Sequence, residues 1–498
     1  MRTFCLMLAV TAASAGVAAE PPASDYEIIL EDLRGLGDRA ATARYISYAD
    51  VDKEDLVESR RVTSYMLNSV AALRVGSITR PVFIADGRIA RFQAEWYAPT
   101  SALGLEAFLT AWERIAERNP LTCFETEVEV DGDLHTQFVV GGWIPLDWAQ
   151  KMTSVTGSIS PVIHFGHFLR SCERDGYYDL AGIGDRAETF AKLGIDDDLV
   201  TKLHADRAAT VKRSGVANGK PRRIRVFQGV FGNAWVTYDV DELTPAKDAV
   251  RHPLSNILVD GVLGQAVEYD ANEYVLIGRN GLPVWLITDA AGKRQSVVNV
   301  EVAVDYSDSS DTFDRQISPP FSCIRCHNDG GFNDFDDYQQ TLMERGQFAY
   351  TPEHAVRIAE TYRSDIVQGR LEFDKEIIDA STKLAAGVEW DILSMDVALM
   401  YRKYVLDDVT PEEASRVLRA DVADVIGPVT TDPHLIALAS GESINRDAWN
   451  SSLHLALING APNHEDHHRL SGRFPVHDSA VGSGDMPDPS GPVPSLSE

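Results

Sequence analysis

The sequence predicts an α+β protein, with a mainly helical N-terminal part, an antiparallel β-meander in the middle and a helical C-terminal part. Two observations carry this. Apolar residues recur at helical spacing at both ends of the chain, whereas between residues 222 and 304 they fall in β-branched and aromatic runs broken by turn signals. A third observation organises the C-terminal part: the run Cys323-Ile324-Arg325-Cys326-His327 follows the last predicted strand. The Cys-x-x-Cys-His spacing is the attachment signature of a covalent c-type haem. Two thiols two residues apart on one turn add across the two vinyl groups of one porphyrin, and the adjacent histidine is carried under the ring to ligate iron. The C-terminal part is therefore expected to form around a single haem c.

Taken in order, residues 1–19 read as a secretory signal. Arg2 supplies the positive end, residues 4–15 a short apolar run, and Val17-Ala18-Ala19 a small-residue cleavage site. Cys5 lies near the start of that signal, so a lipid anchor is not indicated. No other run of about twenty apolar residues occurs, so no transmembrane segment is expected. Residues 20–215 form the helical N-terminal domain, with helices over 56–73 and 104–118 and a short extended segment over 81–90 between them. Trp96, Trp112, Trp143 and Trp148 are read as core anchors, because one indole buries a large apolar area.

Residues 216–305 are the β region. Strands are predicted over 222–227, 234–240, 273–277, 283–288 and 296–304, with Arg279-Asn280-Gly281 and Ala290-Ala291-Gly292-Lys293 as turns. A polar loop and Pro319-Pro320 separate the last strand from the motif, which places the cofactor against the sheet or at a domain seam. Residues 306–458 form the haem region, with helices over 336–345, 352–367, 391–404 and 411–418. Thr351-Pro352 and Thr410-Pro411 read as cap plus N1 proline, and Thr410 with Glu413 completes a capping box. Residues 459–498 are poor in apolar side chains and rich in His, Ser, Gly, Asp and Pro, the composition of a disordered tail.

The chain has 498 residues, 75 of them acidic against 46 basic, and a formal net charge of −29. That charge argues against nucleic acid or anionic lipid as a partner. The acidic clusters at Asp131 and Asp133, at 196–198, and at Asp334, Asp336 and Asp337 do not match a calcium loop. Five cysteines are present. With Cys5 in the signal and two in the motif, Cys123 and Cys172 remain as an expected disulfide in an oxidising compartment, unless both are buried thiols. Alternative readings of the motif are a redox dithiol, which wants a βαβ setting, and a zinc knuckle, which wants two further ligands; neither setting is evident.

Within this pattern, residues 279–294 together with Phe321-Ser322-Cys323-Ile324-Arg325-Cys326-His327 resemble a family of large exported single-haem proteins found mainly in planctomycete-type bacteria. Residues 44–48, 67–69, 144–148 and 161–164 are similar to further segments of that family. The resemblance covers roughly residues 40–458 and implies haem and export; it supplies no reaction.

His327 is accordingly the expected proximal iron ligand, and the other axial position decides the chemistry. Met343, Met395, Met400 and Met486 are methionine candidates for it, Met395 and Met400 being favoured by lying about seventy residues beyond His327, and His164 is a histidine candidate. A closed coordination sphere gives an electron carrier for a redox partner protein or a small donor or acceptor, in the periplasm or outside the cell. An open one gives a haem peroxidase or oxygenase with His164 or His167 as acid/base, or a haem-based sensor or binding protein. Neither a nucleophile–base constellation nor a phosphate-binding glycine loop is recognisable elsewhere.

Overall fold

The structure is a computed structural model that describes residues 25–449 apart from internal stretches, the longest being 198–206, 248–257, 306–315, 335–355 and 423–431. Side chains of residues 117–149 also lie outside it, as do the expected signal, the tail, Met343, Met486, Trp143, Trp148 and the side chain of Cys123. The described chain is mixed α and β.

Helix α1 (Asp25–Leu36) buries Tyr26, Ile29, Leu30, Leu33 and Leu36, one face at helical spacing, against strand β1 (Ala43–Ser47). After α2 (Leu56–Val70) come β2 (Val82–Ile84) and β3 (Ile89–Gln93), then α3 (Ala94–Tyr97), α4 (Ala102–Glu117), the hairpin β4 (Cys123–Val130) and β5 (Asp133–Val140), and α5 (Leu146–Thr156). Strand β6 (Val162–His164) then pairs parallel to β1, giving a four-stranded sheet of order β2-β3-β1-β6. Helices were expected to dominate this part, and the sheet is an addition to that expectation. Its strands are three to five residues long, too short for a period, and the pairing of Tyr45 with Val162 joins distant stretches of chain. Helices α6 (Phe165–Ser171), α7 (Asp175–Ala181) and α8 (Arg186–Leu193) complete the N-terminal part.

Helix α2 is buried along its whole second half: Ser59 and every residue from Val62 to Val70 are removed from solvent. Several of its polar side chains find partners on remote elements. The Ser64 hydroxyl donates to the Ala385 carbonyl at 2.6 Å, and Ser59 to the Met400 sulfur at 3.2 Å. Asn68 Nδ2 donates to the carbonyls of Ser64 and Thr79, while its Oδ1 accepts the Thr79 N–H at 3.0 Å.

The middle of the chain is a five-stranded sheet of order β13-β12-β9-β8-β7, antiparallel throughout, built from β7 (Arg207–Val211), β8 (Arg222–Gln228), β9 (Asn233–Asp239), β12 (Ala271–Ile277) and β13 (Pro283–Asp289). A two-residue ladder, β10 (Leu258–Val259) and β11 (Val262–Leu263), lies between β9 and β12 in sequence. Four of the strands match the expected meander, and β7 adds a fifth. Turn residue Gly281 adopts φ +82°, and Asn280 Oδ1 accepts the Leu282 N–H at 3.1 Å. Residues 296–304 are not a strand. Asn299 draws the chain into a turn, accepting from Glu301 through its side chain and from Val302 and Ala303 through its carbonyl, so Val298, Val302 and Ala303 pack as a buried loop under Ile287. β13 is an edge strand, and its outward N–H groups at Trp285 and Ile287 donate to the Tyr177 and Tyr178 hydroxyls of α7.

Beyond the sheet lie α9 (Phe321–Cys326), α10 (Ser364–Ala386), α11 (Trp390–Tyr401) with a π-helical turn over Arg402–Leu406, α12 (Pro411–Leu418) and α13 (Pro433–Ala439). Helix α12 begins as expected, the Thr410 hydroxyl accepting the Glu413 N–H at 3.2 Å, but the Glu413 side chain turns to Arg446 instead of closing the box. The long helix α10 departs from the expected helix over 352–367, which overlaps only its first turn. Its buried face is interrupted by Asp374, Ser381 and Thr382, so the apolar stripe is broken in sequence. Asp374 is satisfied there by the Trp235 indole N–H at 2.7 Å and by Asn233 Nδ2 at 3.0 Å.

Two outcomes follow from these buried polar groups. Asn68→Ala leaves the Thr79 N–H without a partner and its carbonyl with the Tyr97 hydroxyl alone, and is expected to cost about 1–3 kcal/mol, read as a lower urea midpoint at unchanged slope. Asp50, fully buried beside α6, accepts the Gly166 N–H at 2.7 Å, yet burial outweighs this and raises its carboxyl to about 6. The folded chain then holds this proton more tightly than the unfolded chain, so the group costs stability as pH rises from about 4 through about 6. Asp50→Asn keeps an acceptor for Gly166 and should gain about 1–3 kcal/mol at pH 7, the two proteins converging near pH 4 in urea titrations.

Candidate functional site

The motif folds as a single helical turn. The Ser318, Pro320 and Cys323 carbonyls accept from the N–H groups of Ser322, Ile324 and His327 at 3.1, 2.9 and 2.8 Å, and the Ser322 hydroxyl accepts from the Ser318 N–H. Cys323 and Cys326, three residues apart on that turn, share a face. Phe321 stacks on Tyr401 of α11 with ring centroids 4.4 Å apart, and Ile324 is fully buried, so the other face of α9 is held by the core.

His327 leaves the helix as its C-cap residue, with φ −95° and ψ 53°. Its carbonyl accepts the Trp390 indole N–H at 2.8 Å, tying the first residue of α11 to the motif. The ring lies 5.3 Å from Trp285 and 6.4 Å from Phe332, the latter edge-on. Although the residue as a whole is only partly buried, its Nδ1 is removed from water and has no protein partner. The following loop is clamped to α10. Gly331 adopts φ +84°, where a Cβ would stand 2.7 Å from Ile378 Cδ1, Asn333 Nδ2 donates to the Cys326 carbonyl, and Lys375 pairs with Asp329 and Asp334.

The floor is the sheet. Register aligns Val226, Trp235, Val275 and Trp285 in one cross-strand row on one face, which meets His327 through Trp285 and Phe332 through Trp235 at 5.2 Å. On the same face Arg222 pairs with Asp239 and, at 2.7 Å, with Glu273. Arg325 of the motif pairs with the fully buried Asp305, whose Oδ1 is 3.8 Å from the Cys326 sulfur.

This environment sets the protonation states. Burial, reinforced by Glu273 and Asp305, pushes the Cys323 thiol well above its ordinary value; burial and Asp305 push Cys326 up to about 12. Burial, with the Arg222 charge adding to it and the Gly331 backbone opposing it, lowers His327 to about 4. At neutral pH the site therefore presents two protonated thiols, unbridged, and a neutral imidazole with a free lone pair. Those forms suit thioether formation and nitrogen ligation, and the orphaned buried Nδ1 accords with a ring placed for a partner outside the protein. Among the described residues no group of three His, Cys, Asp or Glu is arranged to hold a metal ion on its own.

The three distal candidates among the described residues are not brought to His327. Met395 is exposed. Met400 is buried on Ser59, ten residues beyond Trp390 and so about 15 Å along α11. His164 ends β6, paired with Ser47; its neighbour Phe165 packs on Tyr404, in the π-helical turn at the opposite end of α11 from Trp390. Its companion His167 hydrogen-bonds the Ile115 carbonyl at 2.9 Å and lines a cavity of about 350 Å³ with Arg114, Arg170 and Glu173. Cys172 is a free, fully buried thiol raised by burial, and its expected partner Cys123 lies outside the described side chains.

Trp285, Trp390 and Phe332 around the histidine, and the Asp305–Arg325 pair, were not singled out in the sequence. β13 is apolar and buried along nearly its whole length, so its sequence carries no sign of which face receives the motif. No family model, curated protein or solved structure matches the chain.

The Trp390 contact generates a test. Trp390→Phe keeps the ring and removes the N–H, leaving the His327 carbonyl unsatisfied; a loss of about 1–2 kcal/mol in urea unfolding is expected, with the wild-type secondary structure retained.

Proposed function

We propose that the chain is an exported monohaem c-type cytochrome-like protein, holding haem through thioethers at Cys323 and Cys326 with His327 as proximal iron ligand. It passes single electrons, in the periplasm or outside the cell, between a redox partner protein or a small donor and acceptor. The observation that carries this reading is the motif folded as one turn, with two protonated thiols on a shared face and a neutral, buried imidazole beside them. Bound haem supplies a one-electron iron couple. The protein's own part is positional: α9 fixes the thiol spacing, the Trp390 hydrogen bond anchors the histidine backbone, and Trp285 and Phe332 keep water from the imidazole. The signal-like residues 1–19 support export, because covalent attachment takes place outside the bacterial cytoplasm. Among the described residues no helix is long and apolar enough to cross a membrane.

A second reading, a haem peroxidase or oxygenase or a haem-based sensor with an open distal site, is favoured by one observation. Met400 and His164 are engaged with other parts of the fold, and Met395 points to solvent. A low-spin spectrum with a methionine–iron band supports the carrier; a high-spin ferric spectrum with peroxide turnover above that of free haem supports the open site.

Covalent haem is tested directly. Denatured protein should retain its haem on acid-acetone extraction and give the pyridine haemochrome band of two thioether links, and His327→Ala should change the spin state. Haem lost on extraction would overturn the assignment.

A further inference from the structure

The outer face of α11 carries an apolar stripe. Ile392, Met395 and Leu399, at positions i, i+3 and i+7, are 41%, 63% and 51% exposed, whereas Trp390, Leu393, Val397 and Met400 on the opposite face are buried. A three-turn helix normally turns such side chains inward, and here a second set stands outside it. Val57 at the start of α2 is also exposed, and α2 lies alongside α11 through the Arg61–Asp396 pair and the Ser59–Met400 contact.

The rim of this stripe is acidic. From Glu389 to Asp408 the chain holds five carboxylates against two basic side chains. Both bases are already engaged: Arg402 with Asp407, and Lys403 with Asp52 and Asp55. Glu389, paired with Lys383, and Asp391 are exposed at its N-terminal end, and Asp407 and Asp408 beyond its C-terminal end. An apolar centre whose surroundings are acidic on balance is the pattern of a transient protein interface whose partner carries the opposite charge. The stripe also lies close to the motif: Trp390, on the inner side of the same helix, holds the His327 carbonyl, so the two are separated by about one helix diameter, roughly 10 Å.

We propose that the outer face of α11, centred on Ile392, Met395 and Leu399, is the docking surface for a basic redox protein that exchanges electrons with the haem. This rests on the haem reading above. The apolar stripe supplies contact area across which water is excluded, and the carboxylate rim steers a lysine-rich partner onto it, so the encounter is fast at low salt and weakens as salt rises.

The test uses the purified full-length holoprotein. A small cytochrome c ringed by lysines serves as protein probe and a neutral quinol as small-molecule control, with rates followed by stopped flow. Met395→Glu combined with Leu399→Glu should lower the second-order rate with the cytochrome by about tenfold or more and leave the quinol rate unchanged. Glu389→Lys with Asp391→Lys should lower the same rate and flatten its dependence on salt. Intact covalent haem with an unchanged cytochrome rate in both variants overturns this inference alone. Absence of covalent haem overturns the cofactor reading and this inference with it. A wild type that is dimeric by light scattering, made monomeric by Met395→Glu with Leu399→Glu, overturns it in favour of a second copy of the chain on this face.

Discussion

Helix α2 is buried through its second half, and the hydrogen bonds that its polar groups make to remote elements position the rest of the molecule. Ser64 reaches the carbonyl of Ala385 at the end of α10, Ser59 reaches Met400 on α11, and Asn68 binds Thr79 while its own carbonyl receives Asn280 from the β12–β13 turn. These bonds fix the two C-terminal helices and the sheet turn against one rod. The candidate site is assembled from the same three pieces: its floor is Trp285 on β13, its walls are α10 and α11, and the motif turn lies between them. A shift of α2 would therefore move every surface that meets His327.

Charge at the site is handled by local pairing. The net charge of −29 belongs to the chain as a whole, but Arg222 is matched by Asp239 and Glu273, and Arg325 by Asp305. Such pairs contribute little net stability, because desolvation offsets most of their attraction. Their effect on the neighbouring groups is larger. Burial, reinforced by the carboxylates, keeps the two thiols protonated, and the guanidinium of Arg222 adds to burial in keeping His327 neutral. The site is thereby held in forms suited to thioether bonds and nitrogen ligation, and unsuited to a thiolate nucleophile.

Much of the fold is legible in the sequence where the signal is local. Periodicity places α2, α4 and α11 to within a few residues, β-branched and aromatic runs place β8, β9, β12 and β13, and Thr410-Pro411 marks the start of α12. Legibility fails where partners are remote. The strands β1 and β6 acquire meaning only from each other, residues 296–304 look like a strand until Asn299 turns them, and α10 conceals its periodicity because a core-facing position is Asp374, made acceptable by Trp235 from a distant strand.

The sequence by itself determined the proposed haem-binding set: Cys323, Cys326 and His327 depend on spacing along one turn, a property that needs no other part of the chain. Tertiary structure decided the surroundings of that set. It selected Trp285, Phe332 and Trp390 as neighbours of the histidine, and it carried His164 and Met400 to places set by Ser47 and Ser59, with Met395 left facing solvent. The reason is geometric. A helix or strand fixes which residues share a face, but which face meets the motif depends on how remote elements pack, and α2 settles that through hydrogen bonds between residues more than two hundred positions apart.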